Sequence, residues 1–248
     1  MSKIYIPGEK AKEYCGLAVN LYTGCNHGCL YCYAPSANQK PRKDYLIVRP
    51  TSNTIRNIER ESHLYKGKEI LLCFLTDPYN SLDKKLKLTR QAIEILRANE
   101  VIPVILTKAG RKSMRDFDLL DGSCWYGATL TFVNDKDSQA WEPHASLPLE
   151  RIEVLKEAKK KGISTWVSLE PVIYPEQTIE LVHMTHEFVN HYKFGKWNHD
   201  KRANDIDWSK FLSDMRTVMK KYGIKEMTNV GCGKGFYVKS ELKGFAEK

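Results

Sequence analysis

The sequence contains no hydrophobic run long enough to cross a bilayer. Its longest apolar stretches, Ile70–Leu75 and Val101–Leu106, have the length of single strands, whereas a spanning helix needs about 20 apolar residues. The first residues, Met1–Gly8, also lack an apolar segment of signal-peptide length. We therefore expect a soluble protein of the cytoplasm, where its seven cysteines stay reduced and do not form disulfides.

Acidic residues are the scarcer charged class. The chain has 30 Asp and Glu against 39 Lys and Arg, a net charge of +9, and such an excess suits an anionic partner such as nucleic acid. Part of the excess falls in runs such as Lys159–Lys161 and Lys220–Lys221, where lysines at the end of a helix complement the helix dipole. The charge is therefore compatible with nucleic acid as a partner without establishing it.

Internal repeats and low-complexity tracts are also missing from the 248 residues. Helical segments instead alternate with strand-like ones, predicted at Leu17–Gly24, Glu69–Leu75, Val101–Leu106, Cys124–Leu130, Ile163–Glu170 (ended by Pro171) and His191–Lys196. Such alternation is typical of parallel strands joined by right-handed crossovers. About six units predict an α/β fold, a partial (β/α)6-type parallel barrel whose site lies at the C-terminal strand ends.

We predict two parts in this chain. Residues 1–200 are expected to form the barrel core, since they contain all six predicted units. Residues 201–248 are expected to add a helix and a short strand, Phe236–Val238, that pack on the core.

Three cysteines lie close together in Cys25-Asn-His-Gly-Cys29-Leu-Tyr-Cys32, directly after the first predicted strand. Three thiolates on one loop can hold three irons of a 4Fe–4S cluster and leave the fourth iron open to a non-protein ligand. The alternative is a zinc site with His27 or a distant cysteine as fourth ligand. Zinc ribbons usually supply two separated cysteine pairs, and no second pair is present, so the sequence favours the cluster.

This spacing resembles the signature of the radical SAM superfamily, and the longer string Tyr22–Pro35 resembles its spore-photoproduct-lyase-like branch. The resemblance implies a 4Fe–4S cluster, S-adenosylmethionine (SAM) on its open iron, and an external electron donor such as flavodoxin or ferredoxin. It also implies a lyase-like enzyme in which reductive cleavage of SAM gives a 5′-deoxyadenosyl radical that abstracts hydrogen. The substrate stays open between a nucleobase in nucleic acid and a small molecule.

The same resemblance assigns cofactor-binding roles to residues that end the second and third predicted strands. Asp77, in Thr76-Asp-Pro-Tyr79, would accept a hydrogen bond from the SAM amino group, since a carboxylate is a suitable acceptor for an ammonium. The alternative for Asp77 is to cap the following turn. Lys108 would pair with the SAM carboxylate.

Further cofactor-binding roles fall on the later strands. Thr129, with Thr131 as the alternative, would lie at the SAM ribose. Ser168 and Glu170 share one face of their strand and are expected to point into the barrel. A buried glutamate needs a partner, which for Glu170 would be Arg151 or a SAM hydroxyl.

Tyr31 and Tyr33 flank Cys32 and match the Tyr-Cys-Tyr arrangement of spore photoproduct lyases. This match implies a catalytic role in hydrogen transfer, and the alternative is that the two rings shield the cluster from water. The chain departs from the repair lyases at Leu75, where those enzymes carry a hydrogen-donating cysteine, and this departure puts thymine-dimer repair in doubt.

Two other cysteines bear on the question of a hydrogen donor: Cys73 is set back along the strand from the donor position, and Cys232 is a candidate donor to a substrate radical. Cys73 lies two residues before Leu75, and Cys232 lies in a glycine-rich turn near the C-terminus. The alternative to an enzyme is a non-catalytic iron–sulfur or zinc-binding regulatory protein. The polar residues at the strand ends favour the enzyme, because a simple metal clip would not need them.

Overall fold

The computed structural model describes residues 4–245, which contain ten strands. They are β1 (Ile4–Tyr5), β2 (Ala18–Val19), β3 (Tyr22–Thr23), β4 (Arg49–Pro50), β5 (Glu69–Leu72), β6 (Ile102–Thr107), β7 (Trp125–Thr129), β8 (Ser164–Val172), β9 (His191–Lys196) and β10 (Gly235–Val238). Eight of them form one sheet in the order β1-β2-β5-β6-β7-β8-β9-β10, and β3 pairs with β4.

All strands of the main sheet run parallel from β2 to β10, and only β1 is antiparallel. Within residues 4–245 the edge strands β1 and β10 do not pair with each other, so the sheet is an open barrel. The predicted α/β fold with a partial parallel barrel is thereby confirmed. The segment after residue 200 contributes β10 to the sheet itself, parallel to β9.

Helices fill the connections between the strands. They are α1 (Glu9–Lys12), α2 (Ala34–Ala37), α3 (Arg42–Tyr45), α4 (Thr54–Glu61), α5 (Asp83–Leu86), α6 (Leu88–Ala98), α7 (Asp135–Trp141), α8 (Pro148–Lys160), α9 (Pro175–Thr185), α10 (Trp208–Lys221) and α11 (Ser240–Lys243), with 3-10 helices at Ser62–Tyr65, Gly110–Leu119 and Lys201–Asp205. The long ones bury one apolar stripe against the sheet, as Ala92, Ile93 and Leu96 do in α6. None of the described helices has the length and apolarity needed to cross a membrane.

The first and fifth predicted strands differ from the structure. The predicted strand Leu17–Gly24 divides into β2 and β3, because the chain leaves the main sheet after Val19 to build the cysteine loop. Pro171 does not end its strand, since β8 continues to Val172. A register shift between Leu169 and Val172 gives the proline, which has no N–H to donate, a place in the strand.

The barrel interior depends on close contact between Trp166 and Gly127. The Trp166 side chain is fully buried, and its Nε1 donates a hydrogen bond to the backbone oxygen of Ile105 at 2.8 Å. Gly127 is paired with Trp166 across β7 and β8, and a Cβ atom there would lie 2.3 Å from the indole Nε1. The glycine therefore makes room for the largest side chain of the interior.

We predict that Gly127→Ala destabilises the protein by about 1–3 kcal/mol, because the added methyl group overpacks the interior. Thermal unfolding followed by circular dichroism should show a midpoint lowered by several degrees. The control is Gly16→Ala, where an added Cβ meets no atom within 4 Å. Equal midpoints for the two variants would contradict the packing argument.

Candidate active site

The C-terminal ends of the parallel strands surround a cavity of about 750 Å³. Its wall includes all three loop cysteines and most of the predicted cofactor-binding and catalytic residues, namely Tyr31, Tyr33, Asp77, Lys108, Thr129 and Glu170. Ser168 is buried, and its Oγ lies 3.3 Å from the hydroxyl of Tyr14, another residue of the wall. The fold thus brings the predicted site residues to one place.

A short segment after the cysteine loop holds the start of that loop. Gly24 adopts a φ of +76°, and a Cβ atom there would lie 2.3 Å from the backbone oxygen of Ile47, so only glycine fits this close approach. The next residue, Cys25, donates its N–H to the oxygen of Tyr45 at 2.8 Å. The pairing of β3 with β4 fixes the same two segments side by side.

Arg42 holds the rest of the loop. Its guanidinium donates hydrogen bonds to the backbone oxygen of Cys29 at 2.7 Å and to that of Cys32 at 3.2 Å. These two carbonyl groups belong to cysteines of the loop, which lies outside the strands. Arg42 therefore fixes the curvature of the loop while leaving the thiols free.

The donor set fits a cluster better than a zinc ion. Among residues 4–245, no three His, Cys, Asp or Glu side chains converge on a position for a single metal ion. Zinc needs four donors around one ion, whereas a 4Fe–4S cluster attaches each cysteine to a different iron. His27, the alternative fourth zinc ligand, is buried with its Nδ1 3.5 Å from Oδ2 of Asp77.

The carboxylate of Asp77 connects the ends of β5 and β6. It accepts hydrogen bonds from the backbone N–H of Tyr79 at 2.8 Å, from the hydroxyl of Thr107 at 2.8 and 2.9 Å, and from the N–H of Lys108 at 2.7 Å. The turn-capping alternative for Asp77 is thus present in the structure. The same contacts orient Lys108, whose Nζ lies 5.6 Å from the ring centroid of Tyr31.

A buried ion pair lies behind Tyr31, a residue of the cavity wall. Arg151 donates to Glu142 at 2.5 Å, both side chains are about 1% exposed or less, and the hydroxyl of Tyr31 donates to the other oxygen of Glu142. Burial alone would raise the pKa of the Glu142 carboxyl, but the charges of Arg151 and Lys108 outweigh it and hold that pKa below its usual value. Arg151, one of the two partners considered for Glu170, is therefore engaged by Glu142 instead, and the other, a SAM hydroxyl, stays a prediction.

Glu170 lines the cavity together with its own partners, Tyr14 and Lys239. Its carboxylate pairs with the ammonium of Lys239 and accepts a hydrogen bond from the hydroxyl of Tyr14. The Lys239 Nζ also lies 3.6 Å from the ring centroid of Tyr14, a cation–π contact. Sequence reasoning missed Tyr14 and Lys239, because two residues so far apart along the chain share no spacing or motif that could mark them.

The two tyrosines beside Cys32 face different surroundings. Tyr31 points inward to Glu142, and burial is the main cause that raises its pKa well above the usual value. Tyr33 is 42% exposed at the cavity rim, with its ring centroid 6.3 Å from that of Phe74. Tyr31 therefore has a carboxylate beside its hydroxyl, whereas no hydrogen bond of the Tyr33 hydroxyl is found among residues 4–245.

Cys73 and Cys232 lie at different ends of the barrel. Cys73 is buried and borders the cavity. Cys232 donates its backbone N–H to the carboxylate of Glu69 at 3.1 Å, and Glu69 is the first residue of β5. Because the cavity is at the other end of the strands, the prediction that Cys232 donates hydrogen to a substrate is wrong.

Comparison with known proteins agrees with this geometry. The family model of the radical SAM superfamily matches residues 19–189, so the chain belongs to that superfamily. Members of the superfamily use a 4Fe–4S cluster and SAM. The match covers the cysteine loop and the strands β3 to β8.

Two relatives have no assigned activity. The chain is 28% identical over 196 residues to the uncharacterized protein MJ0683 of Methanocaldococcus jannaschii, which covers 76% of this chain and 71% of the relative. It is 26% identical over 179 residues to the uncharacterized protein ORF301 of Acidianus two-tailed virus, covering 66% of this chain and 58% of that protein. Their names add nothing about the reaction.

Solved structures share the fold at low sequence identity. A spore photoproduct lyase variant with bound AdoMet and dinucleoside spore photoproduct matches with a TM-score of 0.70 and 15% identity, covering 94% of this chain and 79% of that one. Streptococcus suis SuiB bound to S-adenosylmethionine matches with a TM-score of 0.59 and 13% identity, covering 92% of this chain and 48% of that one. At these identities the likeness shows the fold alone.

We predict that Arg151→Met lowers the free energy of unfolding in urea by about 3–5 kcal/mol, because it leaves the buried Glu142 without its ion-pair partner. The double variant Glu142→Leu/Arg151→Met should recover part of this loss. The control is Arg111→Met, which removes a solvent-exposed pair with Glu153 and should cost at most about 1 kcal/mol. Equal losses for the two single variants would contradict a structural role for the buried pair.

Proposed function

We propose that this protein is a radical SAM enzyme that cleaves SAM reductively and abstracts hydrogen from a substrate held in the cavity. When bound, the cluster and SAM together supply a 5′-deoxyadenosyl radical. One observation carries the proposal: a single cavity is lined by three cysteines of one loop and by polar residues at the ends of four parallel strands. A protein that only bound a metal, without SAM, would not need the polar residues at the strand ends.

The strand-end residues are proposed to hold SAM. Lys108 is suited to pair with the SAM carboxylate, because burial opposes its charge but the negative groups of Cys29 and Glu142 outweigh burial and raise its pKa. Asp77 is proposed to support the amino group end of SAM while it orients Lys108. Thr129 and Glu170 complete the set at the ends of β7 and β8, and Ser168 supports Glu170 through their shared contact with Tyr14.

The tyrosines are proposed to act in hydrogen transfer. Both line the cavity beside Cys32, and the hydroxyl of Tyr31 already donates to Glu142. A proton released from Tyr31 would therefore have a receiving carboxylate, which itself is balanced by Arg151. The rings also keep water away from the cysteine loop, which protects a reactive centre.

A nucleobase carried by DNA or RNA is the substrate class that we propose, with a lyase-like reaction. The cavity wall includes the aromatic rings of Tyr5, Phe74 and Trp197, which suit stacking of bases. It also includes Lys10 and Lys196, whose charges suit phosphates. Leu75 lines the same wall, so we do not extend the proposal to thymine-dimer repair.

The proposed chemistry also indicates the electron donor and the cellular compartment. Reductive cleavage of SAM requires an external one-electron donor, which we propose is a protein of the flavodoxin or ferredoxin type. All seven cysteines are unpaired in the structure, and thiols stay reduced in the cytoplasm, where we propose that the enzyme works.

The test is anaerobic reconstitution with iron and sulfide, followed by SAM, dithionite and single-stranded oligonucleotides. We expect about four irons per chain and formation of 5′-deoxyadenosine, both lost in Cys29→Ala because it removes one of the three cluster ligands. The matched control is Cys124→Ala, which removes a buried thiol away from the cavity and should retain both.

Two results would contradict the proposal. One is a single zinc ion per chain in place of iron and sulfide, which would favour the non-catalytic zinc-binding alternative. The other is an intact cluster that yields no 5′-deoxyadenosine with DNA, RNA or nucleoside substrates, which would favour an iron–sulfur protein without SAM chemistry.

A further inference from the structure

An exposed surface of aliphatic and basic side chains covers the outer side of the cysteine loop. Leu30 is 52% exposed and Ile47 is 53% exposed, which is unusual for side chains of this size. The exposed cations Lys40, Lys43 and Arg49 belong to the same segment as Ile47, and no ion pair involves them within the described range 4–245. We call the set the loop-side surface, and it consists of Leu30, Lys40, Lys43, Leu46, Ile47 and Arg49.

This surface is attached directly to the cysteine loop. Its residues flank Arg42 and Tyr45, which bind the backbone of Cys25, Cys29 and Cys32. The Leu46 side chain comes so near the loop that a Cβ on Gly28 would lie 3.3 Å from its Cδ2. A partner seated on this surface would therefore be separated from the cluster by the loop itself.

The substrate cavity opens elsewhere. The described residues that line it include Tyr33 and Ala34 and then none before Leu71, so the segment 40–49 is outside the cavity wall. The cysteine loop thus lies between the cavity on one side and the loop-side surface on the other. A partner seated on the loop-side surface would therefore not compete with SAM or substrate for the cavity.

We propose that the loop-side surface docks a small acidic electron-carrier protein of the flavodoxin or ferredoxin class. The inference rests on the proposed function, since only a redox centre needs such a partner. In the step itself, one electron leaves the reduced flavin or iron–sulfur centre of the carrier, which becomes oxidised by one electron. The cluster of this protein gains that electron, and no covalent bond is made or broken between the two proteins.

Charge and composition favour a protein occupant. Residues 40–49 hold four cations against the single carboxylate of Asp44, so the surface complements an acidic carrier and would steer its approach. The exposed apolar side chains are aliphatic, as the dry centre of a transient protein interface requires. A strand of nucleic acid would instead be expected to stack its bases on exposed aromatic rings.

The test compares two reductants with one set of variants. Formation of 5′-deoxyadenosine is measured with dithionite and with increasing concentrations of reduced flavodoxin. The variant Lys40→Glu/Lys43→Glu/Arg49→Glu should raise the half-saturating flavodoxin concentration about tenfold or more and leave the dithionite rate unchanged. Salt should weaken the wild-type dependence on flavodoxin and have little effect on the variant.

The matched control makes the same charge change at the opposite end of the barrel. Lys159→Glu/Lys160→Glu/Lys161→Glu alters exposed lysines at the end of α8, beside the start of β8, and should behave as wild type with both reductants. A second variant, Leu46→Ser/Ile47→Ser, should raise half-saturation without changing the salt dependence. If the glutamate variant disturbs the cluster and loses dithionite activity, glutamines at the same three positions replace it.

Three results would overturn the proposal. One is equal half-saturation for wild type and the loop-side variants, and another is an equal shift in the α8 control. The third is weaker binding of a fluorescent single-stranded oligonucleotide with unchanged flavodoxin dependence, which would assign the surface to nucleic acid. If dithionite gives no 5′-deoxyadenosine in wild type, the proposed function fails, and binding of flavodoxin measured by flavin fluorescence anisotropy still decides whether the surface docks a carrier.

Discussion

The anchoring of the cysteine loop is the constraint on which the site depends. To place three thiols on one loop, the chain must leave the sheet after β2, and the freed backbone groups need partners. Arg42, Tyr45 and the β3–β4 pairing supply them, and Gly24 permits the close approach. The same segment, residues 42–49, carries most of the loop-side surface. It therefore shapes the proposed cluster site and also forms the surface on which we propose that an electron carrier docks.

Two carboxylates support the cavity, and each is balanced in the same way. Glu170 lines the cavity, and Glu142 contacts Tyr31 of its wall. Glu142 is paired with Arg151 and accepts from Tyr31, and Glu170 is paired with Lys239 and accepts from Tyr14. A charge withdrawn from water is costly unless it is paired and hydrogen-bonded. These contacts therefore hold the tyrosines and cations in fixed positions around the space where cofactor and substrate are proposed to bind.

Membership of the radical SAM superfamily defines the chemistry of the cofactors. The choice of substrate depends instead on the residues that line the cavity. The fold matches both a spore photoproduct lyase and SuiB at 15% and 13% identity, which illustrates that one fold hosts different sites. In this chain Leu75, Phe74 and Trp197 shape the cavity. Residues after position 200 add Lys239, so the C-terminal segment is part of the site as well as of the sheet.

The sequence alone determined the barrel, the family and its cofactors, because each depends on residues that are close together in the chain. The alternation of strand and helix periods predicts the barrel, and the cysteine spacing within one loop indicates the family and its cofactors. The location of Asp77, Lys108, Thr129 and Glu170 around one cavity was also predictable, since parallel strands end at one edge. Their roles toward SAM came from the family resemblance and stay predictions. The partner of Arg151, the roles of Tyr14 and Lys239, the location of Cys232 and the passage of β8 through Pro171 were decided only by the tertiary structure. Each depends on which distant side chains or strands meet across the sheet, and no local spacing encodes such a meeting.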